Sequence, residues 1–176
     1  MAMPPESPSP AEQRRREGLS GLGGSLRSLH RVLVERSRRD FERQRHAILG
    51  AGELLKLLTS DAHFAWLREL SELIVDLDIF LDVDPAPGDD DAAAVRMEVE
   101  RLLAPPPGVT ADAVSAPTAS DGFGAHYWPY VHDDPQVAIA HGEVKQALAR
   151  LPNPRDVDEA AVLHARHLFR EARSHR

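Results

Sequence analysis

A helical repeat of large apolar residues between residues 61 and 83 constrains the fold more than any other feature of the chain. At about 100° per residue these side chains cover about 120° of one helix face, and acidic residues occupy the opposite side. The repeat consists of two parallel seams, Leu67, Leu70, Ile74, Leu77 and Leu81 in the first and Trp66, Leu73 and Phe80 in the second. No segment of useful length alternates as a half-buried strand does. The sequence therefore predicts an all-α fold.

Similar repeats elsewhere predict an up-and-down helical bundle of about five helices. The predicted helices span residues 25–58, 61–83, 91–104, 134–151 and 156–173. Gly50 and Gly52 interrupt the apolar seam of the first helix, where we expect a kink or a break. Asp134 with Pro135 provides an N-cap and first turn for the fourth helix, and Asp156 is placed to cap the fifth.

Composition divides the chain into a tail and one domain. Residues 1–24 are rich in Pro, Ser, Gly and charged residues, which predicts a disordered tail. Residues 25–176 form the predicted helical-bundle domain. Within it, residues 105–122 are mainly proline and small residues, which predicts an exposed loop.

The overall composition is that of a globular protein. The chain has 176 residues, of which 42% are apolar and 28% charged, and it has no cysteine. The absence of cysteine excludes disulfides, cysteine nucleophiles and iron–sulfur clusters. The N-terminus lacks the apolar region of a secretory signal, and no stretch approaches the roughly 20 apolar residues that a membrane span needs. We expect a cytoplasmic protein without a membrane partner.

The net charge of −7 conceals an uneven distribution of charged residues. Residues 1–48 contain ten Arg against six acidic residues, whereas residues 49–112 contain four basic against fourteen acidic residues. A basic helix beside an acidic one explains this pattern, and a nucleic-acid-binding face is the alternative. The isoelectric point of about 5.7 and the absence of aromatic residues among the arginines make a nucleic-acid partner the less favoured interpretation.

Motifs for well-known catalytic chemistry are absent from the sequence. No Glu is followed by His three residues later, as a ferritin-like di-iron site requires, and there is no HExxH, no GxSxG and no phosphate loop. His164 and His167 have a spacing that reaches one ion, but a polar helix edge explains them equally. We therefore expect no catalytic residue, no metal ion and no cofactor, and a non-enzyme is the favoured interpretation.

Two histidines on apolar helix faces form a candidate polar site. His141 falls inside the apolar stripe of helix 134–151, and His164 shares a face with small residues of the last helix. A buried imidazole needs a hydrogen-bond partner, and Asp78 at the edge of the 61–83 stripe is a candidate. One interpretation is a ligand-binding site inside the bundle built from these three residues. The other is a set of core histidines that fix the packing of the helices.

Four of the nine aromatic residues lie between Phe123 and Tyr130. Because Tyr and Trp are frequent at binding hot spots, Tyr127 and Trp128 are further candidate ligand-binding residues. Alternatively, the aromatic side chains anchor an irregular segment onto the bundle. Trp66 lies in the strongest apolar stripe, and we expect it to pack in the core against the helix of residues 134–151.

Two functional hypotheses follow. The first is a non-enzymatic protein-interaction or oligomerisation module, most simply a homo-oligomer. At 1.5 Å per residue helix 25–58 would extend about 50 Å, longer than the next helix covers, so its start from Leu26 to Val34 would need another chain. The second is a small-molecule or metal-binding bundle, including an enzyme, that uses Asp78, His141 and His164 beneath the aromatic segment.

Several segments resemble a group of uncharacterised bacterial proteins. They are residues 52–60 (GELLKLLTS), 64–75 (FAWLRELSELIV), Phe123-Gly124, Tyr127 and 134–141 (DPQVAIAH). The resemblance covers about residues 28–150. It implies no activity and assigns no catalytic residue.

Overall fold

The structure, a computed structural model, describes residues 9–82, 87–106 and 122–174, the last seven of these by their backbone only. These ranges contain seven α-helices and no strand, so the prediction of an all-α fold is confirmed. The helices are α1 (Pro10–Gln44), α2 (Ala51–Ser60), α3 (Arg68–Leu81), α4 (Asp89–Leu102), α5 (Phe123–Asp133), α6 (Pro135–Leu148) and α7 (Glu159–Ser174). None of them is long and apolar enough to cross a membrane.

The described ranges hold seven helices instead of the predicted five for two reasons. The predicted helix 25–58 is divided, because α1 ends at Gln44 and α2 begins after Gly50, close to the expected break. The aromatic segment forms helix α5 although it contains Pro129. Residues 1–8 of the predicted tail and most of the predicted loop 105–122 lie outside the described residues.

Helix α1 begins fifteen residues before its predicted start. Ser9 and Glu12 form a capping box, in which the Glu12 N–H donates to the Ser9 hydroxyl at 3.2 Å and the Ser9 N–H donates to the Glu12 carboxylate at 2.6 Å. Leu19 and Leu22 are completely buried. The prediction of a disordered tail is therefore wrong for residues 10–24.

The glycines of residues 18–24 lie inside α1 and not in the expected disordered tail. A Cβ at Gly18 would lie only 3.0 Å from Leu151 Cδ2, so the absence of a side chain lets the segment after α6 pack closely against α1. Gly18 thus has a packing role that composition alone does not reveal, whereas a Cβ at Gly21 or Gly24 would meet no atom within 4 Å.

Helix α1 is central to the bundle, and its main neighbours are α3 and α6. Its buried side chains recur at steps of three and four, at Leu19, Leu22, Leu26, Leu29, Leu33, Ser37 and Phe41. Leu26, Leu29 and Leu33 are completely buried within their own chain. The prediction that the segment from Leu26 to Val34 needs another chain to cover it is therefore wrong.

Trp66 is only 5% exposed and lies in the core, as predicted. It belongs to a 3-10 helix, Ala65–Leu67, that precedes α3. The ring contacts of Trp66 are with α5, since its indole stacks on His126 at a centroid distance of 5.3 Å and also contacts Phe123. Trp66 therefore contacts α5, a helix that the sequence did not predict, in place of the expected helix of residues 134–151. Helix α3, which carries the rest of the stripe, packs mainly against α1.

A smaller core joins α4 to α7 through Ala93, Ala94, Val162 and Ala165. The cap of α7 differs from the predicted one. Asp156 belongs to a second 3-10 helix, Pro154–Asp156, and the carboxylate of Asp158 accepts from the Ala160 N–H at 3.0 Å instead.

Candidate functional site

Helices α5 and α6 bring three of the five predicted site residues together: Tyr127, Trp128 and His141. The Tyr127 hydroxyl lies 2.6 Å from His141 Nδ1. Burial raises the pKa of Tyr127 above its usual range, so the phenol stays protonated and donates this hydrogen bond. Burial, and to a smaller extent the Lys145 ammonium, lowers the pKa of His141, so the accepting imidazole is neutral at pH 7.

The surroundings of this pair favour a packing role. Tyr127 is completely buried and stays a neutral phenol, so it offers neither a nucleophile nor a base to a ligand. The Trp128 ring lies 5.5 Å from His141 and 5.9 Å from Tyr127, and its buried Nε1 has no hydrogen-bond partner among the described residues. The cluster joins α5 to α6 and fits the interpretation of core residues that fix helix packing.

Asp78 lies in different surroundings. It is on α3 and forms an ion pair with Arg27 of α1, in which both side chains are about half exposed. Helix α3 does provide a partner for a half-buried histidine, but through Ser71, whose hydroxyl lies 2.8 Å from His30 Nε2. Burial lowers the pKa of His30, so this imidazole is also neutral at pH 7.

His164 is exposed on α7 and lines an open groove of about 750 Å³. Residues 89–91, three aspartates at the start of α4, line the same groove. Two of them have internal partners, since Asp89 pairs with Arg15 at 2.9 Å and Asp91 accepts from the N-cap backbone N–H at 2.8 Å. In the described part of the chain no three acidic or histidine side chains are arranged to hold a metal ion.

A buried polar cluster around Asp40 was missed by sequence reasoning. Asp40 is 8% exposed and accepts hydrogen bonds from the Tyr130 hydroxyl at 2.9 Å, from Arg36 Nη1 at 2.7 Å and from Arg43. Arg36 Nε also lies 3.5 Å from the Asp134 carboxylate at the start of α6. Burial, together with Asp40, raises the pKa of Tyr130 to about 12. The cluster joins α1 to α5 and α6, and its only sequence signal is the i, i+4 spacing of Arg36 and Asp40.

Helix α2 presents an exposed apolar surface that was also missed. Four of its ten residues are leucine, of which Leu54, Leu57 and Leu58 are half-buried against the core and Leu55 is exposed. Leu55 is 63% exposed, and Leu49, just before the helix, is 92% exposed. We refer to Leu49, Leu55 and the neighbouring exposed Lys56 as the α2 ridge.

A second open groove, of about 590 Å³, lies where residues 28–35 of α1 meet residues 136–143 of α6. Its apolar lining consists of Val32, Ile139 and Ala140, and its charged lining of Arg31, Glu35 and Glu143. Ile139 is 65% exposed, which is unusual for a large apolar side chain beside a groove. We refer to this feature as the α1/α6 groove.

Comparisons of this chain with protein-family models, with curated proteins and with solved structures found no match.

Proposed function

We propose that this protein is a non-enzymatic interaction module that associates with further copies of itself through the α2 ridge. The observation that carries the proposal is that Leu49 and Leu55, just before and within α2, are 92% and 63% exposed, whereas the other leucines of α2 pack partly against the core. Leu49 and Leu55 are large side chains close together in sequence, whereas the other strongly exposed apolar side chains, such as Val75 on α3, occur singly on other helices.

Burial of the α2 ridge would provide a modest free energy of association. Complete burial of one exposed leucine contributes about 1.5–3 kcal/mol. A stable interface buries about 800 Å² on each partner, more than two leucines supply. The α2 ridge alone therefore supports a weak association that depends on concentration, and additional contacts are needed for a tight one.

The other polar groups support a non-enzymatic function because internal contacts occupy them. Tyr127 donates to His141, Asp78 pairs with Arg27, and Asp40 accepts from three donors. The alternative of a small-molecule or metal-binding bundle has less support. It requires Asp78, His141 and His164 in one site, and these residues have separate partners and surroundings.

The proposal is tested by measuring the mass of the purified chain from low to high micromolar concentration by sedimentation velocity and light scattering. We expect the mass to rise above the monomer value of 19.4 kDa with concentration. Leu55→Glu should keep the monomer mass at every concentration, because a carboxylate on the ridge opposes its burial. Val75→Glu, a matched change at a side chain that is 52% exposed on α3, should behave as the unmodified chain does.

Circular dichroism and chemical unfolding establish that both variants are folded. An unmodified chain that remains monomeric at all concentrations contradicts the proposed function. Equal effects of Leu55→Glu and Val75→Glu contradict the assignment of the contact to α2.

A further inference from the structure

The apolar seam of α1 continues in the sequence beyond the break between α1 and α2. After Phe41 it continues at Ile48 and Leu55, which in an unbroken helix would lie within about 40° of the direction of Phe41. Apolar residues seven positions apart on one face are typical of a coiled-coil seam. In the structure Phe41 is buried, Ile48 is partly buried and Leu55 is 63% exposed. The break therefore divides a seam that a straight helix would keep on one face.

The segment of the break, residues 45–50, is able to form a helix. It contains no proline. Two of its backbone N–H groups donate to carboxylates, that of Ile48 to Glu42 at 3.1 Å and that of Leu49 to Glu53 at 2.8 Å. Both N–H groups would find main-chain acceptors if α1 continued into α2. The segment thus has an observed conformation and a helical alternative.

One chain cannot form the unbroken helix and also keep its core. The Phe41 and Phe64 rings pack with their centroids 5.6 Å apart. An unbroken helix would place Ser60 about 28 Å beyond Phe41 along the helix axis. The four residues 61–64 span at most about 14 Å, so Phe64 would lose the Phe41 of its own chain. Phe41 of a second copy is identical and can take its place.

We propose that two copies of this chain exchange α1, with residues 45–50 helical and α1 of each copy packed against α3 and α6 of the other. Residues 45–50 are the one link between α1 and the other described helices. Because the copies are identical, the exchange recreates the contacts of α1 within the dimer. The inference rests on the proposed function, because it specifies how two copies cover Leu55 of the α2 ridge.

The new contact in this dimer lies between the two straightened helices. Each helix runs from the core of the other copy to the core of its own, so the two helices are antiparallel where they meet. Their seams then face each other, and Ile48 and Leu55 of each copy lose contact with water. Since the core contacts are the same in both forms, this contact and the conformation of residues 45–50 decide between monomer and dimer.

An introduced disulfide tests the exchange, because the chain has no cysteine of its own. A Cβ at Gly18 would lie 3.0 Å from Leu151 Cδ2, so Gly18→Cys together with Leu151→Cys links α1 to the segment after α6. This double variant is refolded from urea at high micromolar concentration, oxidised and separated by size. On a denaturing gel without reductant, the dimer fraction should contain covalent dimers and the monomer fraction internally linked monomers.

The outcomes separate the inference from the proposed function. A dimer fraction that yields only internally linked monomers would show association without exchange, so the inference would fail and the proposed function would stand. An unmodified chain that stays monomeric even after refolding contradicts both. If the double variant does not fold, dilution of the unmodified dimer decides. An exchanged dimer persists after dilution because α1 has to leave the core, whereas a surface contact separates at once.

Variants of residues 45–50 provide a second test. Gly50→Ala should raise the dimerisation constant about tenfold, because alanine favours the helix at both copies of the segment. Gly142→Ala in α6, whose conformation is the same in both forms, is the matched control and should leave the constant unchanged. Ala47→Pro should abolish the dimer and leave a monomer that circular dichroism shows to be folded, because proline interrupts the unbroken helix. Normal dimerisation of Ala47→Pro would overturn the inference.

Discussion

Helices α2 and α6 have the same proportion of apolar residues but are buried to very different extents. Five of the ten residues of α2 and seven of the fourteen residues of α6 are apolar. Helix α6 buries five side chains, Val137, Ala140, Val144, Ala147 and Leu148, whereas α2 buries none. Apolar content is therefore a poor guide to burial in this chain.

The position of the apolar residues around each helix explains the difference. In α6 Val137, Ala140, Val144 and Leu148 recur at steps of three and four and, with Ala147 beside them, form one stripe that faces α1. In α2 Leu54, Leu57 and Leu58 share one face and pack partly against the core, whereas Leu55 points about 100° away from Leu54 and is exposed. Helix α2 is also short and packs mainly against one 3-10 helix, whereas α6 lies along α1.

The largest predicted effect is a difference in the free energy of unfolding between a Leu→Ala substitution in α6 and the same substitution in α2. Leu148→Ala in α6 should lower the free energy of unfolding by about 2–5 kcal/mol, because Leu148 is almost completely buried and its loss leaves a cavity. Leu55→Ala in α2 should change it by about 0.5 kcal/mol or less, since the side chain is mostly exposed. Urea unfolding of the monomer measures both values. Similar losses for the two variants would contradict the difference in burial.

Removal of a polar contact should also destabilise the fold more in the buried Asp40 cluster than at the end of α2, with smaller changes in the free energy of unfolding. Tyr130→Phe removes a hydrogen bond to the buried Asp40 carboxylate and should destabilise the fold by about 1.5–3 kcal/mol. Arg45→Gln breaks the more exposed ion pair with Asp61 at the end of α2 and should cost less than about 1 kcal/mol. Chemical unfolding at one ionic strength compares the two. A larger loss for Arg45→Gln would mean that α2 is held as firmly as the core.

The pH dependence of stability should arise on the α1 and α6 side of the molecule. Burial lowers the pKa of His30 and of His141, so the unfolded chain binds protons at a higher pH than the folded chain does. Stability from these groups is therefore complete above about pH 6.5, the ordinary histidine pKa, and is lost as the pH falls below it. Unfolding curves between pH 8 and pH 5 measure this loss, with ~0.5-unit steps to locate its onset. The double variant His30→Gln, His141→Gln should have a smaller loss, and an unchanged pH profile would contradict the assignment.

The smallest predicted effect uses two glycines that have open space around them. A Cβ at Gly52 in α2 or at Gly142 in α6 meets no atom within 4 Å. Gly142→Ala should raise global stability by about 0.5–1 kcal/mol, because alanine favours the helix and α6 unfolds with the core. Gly52→Ala should increase the hydrogen-exchange protection of α2 amides and leave the global unfolding free energy nearly unchanged. An equal global gain for both variants would show that α2 unfolds together with the core.

Sequence reasoning predicted those helices whose capping residues and apolar spacing can be recognised in the sequence itself. Helix α6 was predicted at nearly its observed limits because Asp134 caps it, with its carboxylate accepting from the Gln136 N–H at 2.9 Å. Helix α4 was also predicted, because its acidic first turn is visible in the sequence, although its predicted start lies two residues after the observed one. For the candidate site, one hypothesis placed His141 beneath the aromatic segment, and Tyr127 of that segment does hydrogen-bond to His141; whether these residues bind a ligand stays a prediction.

The sequence by itself determined the all-α class, the apolar faces of α3 and α6, and the break near Gly50, since these depend on local spacing and backbone preference. Only the tertiary structure decided the rest. Gly18, in the predicted disordered tail, lies in α1 close to Leu151, a proline-containing segment forms helix α5 beside Trp66, and His141 pairs with Tyr127 and not with Asp78. Periodicity gives the direction of each side chain around its own helix, but it does not give the distance to any other helix. Which side chains meet, and which leucines stay exposed on α2, depends on that distance.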